Sequence, residues 1–69
     1  MTSLQDRLLA AHAEDNRSAL ISLYTQAADS TDDIDAACFY LTHAYIFALE
    51  AGDPAADALY TRLKAQGRV

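Results

Sequence analysis

The stretch that decides the fold runs from Asp33 to Ala51 and reads D-I-D-A-A-C-F-Y-L-T-H-A-Y-I-F-A-L-E-A. It contains no Gly or Pro, and as a helix it would carry apolar side chains on almost every side. Such a helix must be surrounded by protein, because a single neighbouring helix cannot cover so wide an apolar surface. Its residues would span roughly 28 Å, the width of a small domain. The sequence therefore predicts that this stretch is the central helix.

Three further helices are predicted around it from capping residues and apolar spacing. The first begins at about Ser3, where Thr2-Ser3-Leu4-Gln5 has the hydroxyl and the glutamine of a capping box. The second spans about 17–28 and the last spans 55 to about 66. A polar loop separates the second helix from the third, and Gly52-Asp53-Pro54 separates the third from the fourth. Connections this short predict two antiparallel helical hairpins or a small helical bundle, which is an all-α fold.

The length allows one domain, residues 1–69, with unit one at about 3–29 and unit two at about 33–67. The core of so short a chain supplies only about 3–5 kcal/mol unless something else stabilises it. Cys38 is the only cysteine, so an intramolecular disulfide and a structural zinc site are both excluded. The hydrophobic fraction is 52% and fifteen residues are alanine. We therefore expect close helix packing, aided by self-association.

The acidic net charge of the chain limits the kinds of partner that it can bind. The formal net charge is −5 and no basic stripe is present, which argues against nucleic acid and against an anionic membrane surface. The N-terminal residues do not read as a signal peptide, and no run is long and apolar enough for a membrane span, so we expect a cytoplasmic protein. No cofactor motif is present, and the two histidines and one cysteine lie too far apart in sequence for a metal site.

The two predicted hairpins resemble each other. A shift of 36 residues aligns Leu23-Tyr24-Thr25 with Leu59-Tyr60-Thr61 without a gap. A helix-turn-helix unit of about this length is the period of tetratricopeptide repeats. In unit two, Ala37, Leu41, Ala44 and Tyr45 resemble the first-helix pattern of that family, and Ala56-x3-Tyr60-x2-Leu63 resembles the second-helix pattern. Thr42 and Cys38 depart from it, because they replace the usual Gly and Trp.

The resemblance implies two degenerate tetratricopeptide-like units whose first helices line a concave face for peptides or partner helices. Two units are fewer than the three usually needed for an independent solenoid, so a closed four-helix bundle or a dimer is expected.

The central helix also provides the candidate functional residues. Phe39 and Ile46 fall beside its polar stripe, where a monomeric four-helix bundle cannot easily cover both. Either they form an interface, or helix 1 or the Tyr60 side of helix 4 folds over them. The sequence predicts a small non-catalytic protein–protein interaction module, in which a homodimer is one form. It would present the helix-3 surface to a partner helix or peptide. The predicted contact residues are Phe39, Thr42, His43, Ile46 and Glu50.

The alternative is a small ligand-binding or enzymatic helical bundle that uses His43 with Glu50 or Cys38. His43 would act as a general base oriented by the Glu50 carboxylate. The competing interpretation places both residues on a solvent-facing polar edge, and makes Cys38 a small core residue rather than a reactive thiol.

Overall fold

The computed structural model describes residues 3–68, which form four α-helices and no β-strand. The all-α prediction is therefore confirmed, and a small helical bundle fits the packing. Most predicted helix ends are correct to within one residue, whereas α2 continues to Ser30, beyond its predicted end at Ala28. The helices are α1 (Leu4–Ala13), α2 (Arg17–Ser30), α3 (Ile34–Ala51) and α4 (Ala55–Ala65).

Polar residues at the helix ends fix where each helix begins. The Ser3 hydroxyl accepts the Asp6 N–H at 3.1 Å and caps α1, whereas Thr2 of the predicted capping box lies outside the described residues. The Asp33 carboxylate accepts the first N–H groups of α3, at 2.9 and 3.3 Å. These donors have no partner within the helix, so the cap stabilises its first turn. Gly52 ends α3 with a φ of 64°, a left-handed conformation that favours glycine.

The helices pack in the order in which they occur in the chain. Within residues 3–68, Cα atoms come within 8 Å only between α1 and α2, α2 and α3, and α3 and α4. The bundle is therefore open, because α1 and α4 do not meet. The Cα atoms span 33 × 28 × 13 Å, so the molecule is flat. With only α2 and α4 packed closely against it, α3 keeps one side free.

The core forms where α2 and α4 meet the inner face of α3. Ala44 and Ala48 are fully buried there, and Leu41 is 3% exposed. Small side chains on α3 leave room for larger ones from its neighbours. Ile34, the first residue of α3, is 54% exposed. The α2 and α4 residues in this cluster are Ile21, Ala28, Leu59 and Leu63.

The residues aligned by the 36-residue shift are alike in burial at one position and different at the next. Leu23 and Leu59 are both buried. Tyr24 is half-buried, whereas Tyr60 is exposed. Tyr24 packs against aromatic rings from both α1 and α3, whereas Tyr60 packs against Tyr45 of α3. Among the described residues, no helix is both long enough and apolar enough to cross a membrane.

Candidate interaction surface

The outer side of α3 carries four side chains that point away from the core. We name Phe39, Thr42, Ile46 and Leu49 the outer stripe. Three of them are large and apolar, with exposed fractions of 59% for Phe39, 48% for Ile46 and 56% for Leu49. At helical geometry the stripe lies on the opposite side of α3 from the fully buried Ala44. The stripe follows a spacing of three, four and three residues, which keeps it on one face of the helix.

Phe39 and Ile46 are the two apolar residues of α3 that α1 or α4 could have covered. Both side chains are exposed, so neither α1 nor α4 folds over them. Thr42 is also exposed. Leu49 was not among the predicted contact residues, although it continues the same spacing and lies one turn beyond Ile46. The periodicity of the stripe was the signal that could have found it.

The solvent-edge interpretation is correct for Glu50, which is exposed, and correct only in part for His43. His43 is half-buried, with its ring centroid 4.4 Å from that of Phe39 and stacked 5.1 Å from that of Tyr24. Its Nδ1 lies 2.9 Å from the Phe39 carbonyl oxygen. Because a carbonyl only accepts, Nδ1 carries the hydrogen. His43 therefore supports the Phe39 ring from one side, at the edge of the outer stripe.

Two ion pairs flank the outer stripe. Glu50 accepts from Arg17 Nε at 3.4 Å, and Asp35 accepts from Arg68 at 2.5 Å. The Asp35 pair also raises the pKa of Arg68, chiefly through its hydrogen bond. All four side chains are substantially exposed, so each pair contributes little to stability. Arg17 also lies 3.6 Å from Asp15, so it is shared between two acids, whereas Arg68 pairs with Asp35.

A cluster of aromatic side chains from α2 and α3 lies next to the stripe. Tyr24 is at its centre, with Phe47 stacked at 6.0 Å and Tyr40 tilted at 6.2 Å between ring centroids. The Tyr24 hydroxyl lies 2.8 Å from Nε2 of His12, which joins α1 to the cluster. Burial, followed by the nearby Tyr40, raises the pKa of Tyr24 above its usual 10.0. Sequence reasoning missed this bond, because nothing in the spacing brings His12 to Tyr24.

The residues of the catalytic alternative have three separate environments. Glu50 binds Arg17 rather than His43, whose Nδ1 binds a backbone carbonyl. Cys38 is 4% exposed and lines a cavity of about 370 Å³ between α2, α3 and α4. Neither His43 nor Glu50 lines this cavity. No three His, Cys, Asp or Glu side chains from residues 3–68 gather closely enough to hold a metal ion.

Comparison with known proteins gives no relative, since the chain matches no protein-family model, no curated protein and no solved structure. The likeness to tetratricopeptide repeats therefore depends on the residues quoted above alone.

Proposed function

We propose that the protein is a small non-catalytic interaction module that presents the outer stripe of α3 to a helix or peptide of a protein partner. One observation carries the proposal, the exposure of Phe39, Ile46 and Leu49 along a single face of the central helix. Contiguous apolar side chains rimmed by polar ones often mark interaction sites, because water contact with them is unfavourable. The single buried thiol of Cys38 suits a reducing compartment, so we place this function in the cytoplasm.

The spacing of the stripe favours a helical partner. Residues separated alternately by three and four positions form the seam by which two helices interlock their side chains. The stripe rises about 15 Å from Phe39 to Leu49, which is about three turns of helix. A partner helix laid along it would cover all four side chains. The aromatic cluster around Tyr24 supports the Phe39 side of this surface and limits its movement.

A titration with a designed peptide tests this function. The probe is a helical peptide with leucine at the seam positions and lysine and glutamine elsewhere, added to isotope-labelled protein. The matched control is a scrambled peptide of the same composition and charge. We expect the amide resonances of Phe39, Thr42, Ile46 and Leu49 to shift with the first peptide only. Ile46→Glu should abolish the shifts, because it places a charge in the middle of the stripe.

A second variant separates the outer stripe from apolar exposure in general. Leu9 on α1 is 59% exposed but lies outside the stripe, so Leu9→Glu should bind the peptide like the native chain. The proposal would be wrong if the scrambled peptide gave the same shifts, if Ile46→Glu left them unchanged, or if no shifts appeared. We do not propose the catalytic alternative, because Glu50 binds Arg17, His43 binds a backbone carbonyl, and neither residue lines the cavity beside Cys38.

A further inference from the structure

The buried side chains of the bundle fall into two separate clusters. The larger one joins α2, α3 and α4, and the smaller one, between α1 and α2, consists of Ala11, Leu20 and Leu23. The two clusters share no buried residue. We infer that α1 is a strap that opens as a unit while α2, α3 and α4 stay packed. The strap does not involve the outer stripe, so it is independent of the proposed function.

The helices at the two ends of the bundle are held to different extents. Within Leu4–Ala13, Ala11 is the only buried residue, and Leu4 and Leu8 are half-buried. In α4, by contrast, Leu59 and Leu63 are both buried in the larger cluster. The stabilisation that a helix gains from packing grows with the apolar area that it buries. We therefore expect α1, but not α4, to separate before the rest of the bundle unfolds.

His12 makes the side-chain hydrogen bond that joins α1 to α2. Its Nε2 lies 2.8 Å from the Tyr24 hydroxyl, and its ring centroid lies 5.9 Å from that of Phe47. His12 is exposed, so water can take over this hydrogen bond when α1 moves away. The net cost of exchanging such a bond for water is small. Tyr24 and Phe47 also pack against the larger cluster, so they keep neighbours when α1 opens.

The connection between α1 and α2 has the properties of a hinge. Asp15 has a φ of 52°, in the left-handed region that residues other than glycine adopt infrequently. Opening allows Asp15 to leave this conformation, which favours the open state. The next residue, Asn16, caps α2 by accepting the Ala19 N–H at 3.1 Å. This cap lies on the α2 side of the hinge, so the first turn of α2 does not depend on a closed α1.

Opening of α1 changes the surface that the protein presents. Leu20 and Leu23 are 1% and 5% exposed in the closed structure, where they pack in one cluster with α1. They are three residues apart on one face of α2, and Tyr24 follows directly. When α1 is released, these side chains become accessible to solvent. The strap therefore controls access to an apolar face of α2.

Hydrogen exchange of the native chain, followed by NMR at increasing urea concentrations, tests the strap. The α1 amides should be protected at least about tenfold less than amides at the centre of α3. The urea dependence of their exchange should be less than about half as steep, because opening α1 exposes less surface than unfolding the bundle. Amides in the middle of α4 should exchange together with those of α3.

Three results of this experiment would overturn the inference. Equal protection and equal urea dependence in α1 and α3 would mean that α1 is released only when the whole bundle unfolds. Exchange of α1 without any urea dependence would indicate fraying of single hydrogen bonds rather than opening of a unit. Exchange of α4 together with α1 would mean that both ends of the bundle loosen alike.

Matched variants test the same strap from both sides. Asp33→Ala removes the cap of α3, so it should lower the protection of α3 amides about fivefold and leave the α1 amides unchanged. Leu8→Ala removes a side chain that packs against the smaller cluster and should lower α1 protection at least about threefold. Leu9→Ala is the matched control, because Leu9 is 59% exposed on the same helix.

The variants also have outcomes that contradict the strap. Equal loss of protection in α1 and α3 for Asp33→Ala would show that α1 cannot open alone. Equal effects of the two leucine substitutions would show that α1 is not held through the smaller cluster. Circular dichroism checks that each variant is folded. If Asp33→Ala unfolds, the urea dependence of the native chain decides without it.

Discussion

The two faces of α3 differ in the size of their side chains and in what covers them. On the inner face the fully buried positions are Ala44 and Ala48, and the larger side chains that fill the core come mostly from α2 and α4. On the outer face Phe39, Ile46 and Leu49 are about half exposed, and nothing in residues 3–68 covers them. Leu41 is the one large aliphatic side chain that α3 contributes to the buried core, whereas Phe39, Ile46 and Leu49 lie outside it. Small side chains allow neighbouring helices to approach α3 closely on its inner face, whereas the large side chains of the outer stripe are the basis of the proposed interface.

The largest expected effect is a difference in stability between two alanine substitutions, one on each face of α3. Leu41→Ala should lower the free energy of unfolding by about 2–5 kcal/mol, because it leaves a cavity beneath α2 and α4. Ile46→Ala should change it by less than about 0.5 kcal/mol. Chemical denaturation at about 5 µM protein measures both values. Similar losses for the two variants would show that the outer stripe is part of the core.

The cap of α3 determines where both faces begin along the helix. Asp33→Ala should lower the free energy of unfolding by about 1 kcal/mol, because two N–H groups of the first turn of α3 lose their acceptor. Asp32→Ala is the matched control, since this exposed neighbour makes no hydrogen bond described within residues 3–68. Asp32→Ala should therefore be close to neutral. Equal destabilisation by the two substitutions, measured by thermal unfolding, would contradict the assignment of the cap to Asp33.

Tyr24 lies between the two faces and connects the first hairpin to α3. Tyr24→Phe should lower the free energy of unfolding by about 0.5–1.5 kcal/mol at neutral pH. The substitution removes the hydroxyl and its hydrogen bond to His12, while the ring stacking remains. The pKa of Tyr24 is raised in the folded protein, so the unfolded chain releases this proton first as the pH rises. The stability that Tyr24 contributes is therefore present below about pH 10 and is lost as the pH rises through the folded pKa.

Two measurements check this behaviour. Phenolate absorbance of the native protein should show a late ionisation step above the usual pKa of a tyrosine, and Tyr24→Phe should remove that step. Unfolding experiments should show a smaller loss of stability above about pH 10 in the variant. Tyr60→Phe is the control, because Tyr60 is 41% exposed and makes no such bond. If Tyr60→Phe removed the late step instead, the raised pKa would belong to Tyr60 and not to Tyr24.

Much of the fold could be predicted from the sequence because its signals are local. The caps Asp33 and Gly52 act on neighbouring residues, so the ends of α3 follow from the sequence. The buried position of Ala44 follows from the spacing of the alanines along the helix. The sequence could not decide whether Phe39 was covered, since this depends on how far α1 and α4 lie from α3. A closed bundle and an open one have the same helical periodicity. Only the three-dimensional packing distinguishes them.

The candidate surface could be predicted only in part, for a related reason. The outer stripe was apparent at Phe39 and Ile46, but Leu49 was not included, although it continues the same spacing. His43 was placed on a solvent-facing edge, which is correct only in part. Its half-buried position depends on Tyr24, which approaches from another helix. Side chains whose environment comes from a distant part of the chain cannot be placed from periodicity alone.

The smallest expected effect concerns the charges beside the outer stripe. Arg17→Gln should change the free energy of unfolding by less than about 1 kcal/mol, because its pair with Glu50 is exposed. In the titration with the designed lysine-bearing peptide, the same change frees Glu50 to attract a peptide lysine beside the stripe, so the dissociation constant should fall about two- to fivefold at low salt. Arg7→Gln makes the same change in net charge on α1 and is the matched control. Peptide titrations should show that the effect of Arg17→Gln shrinks at about 1 M salt, where the Debye length is about 3 Å. An equal change in both variants would mean that overall charge, rather than the Glu50 flank, controls binding, and the stripe would then be only one part of a broader surface.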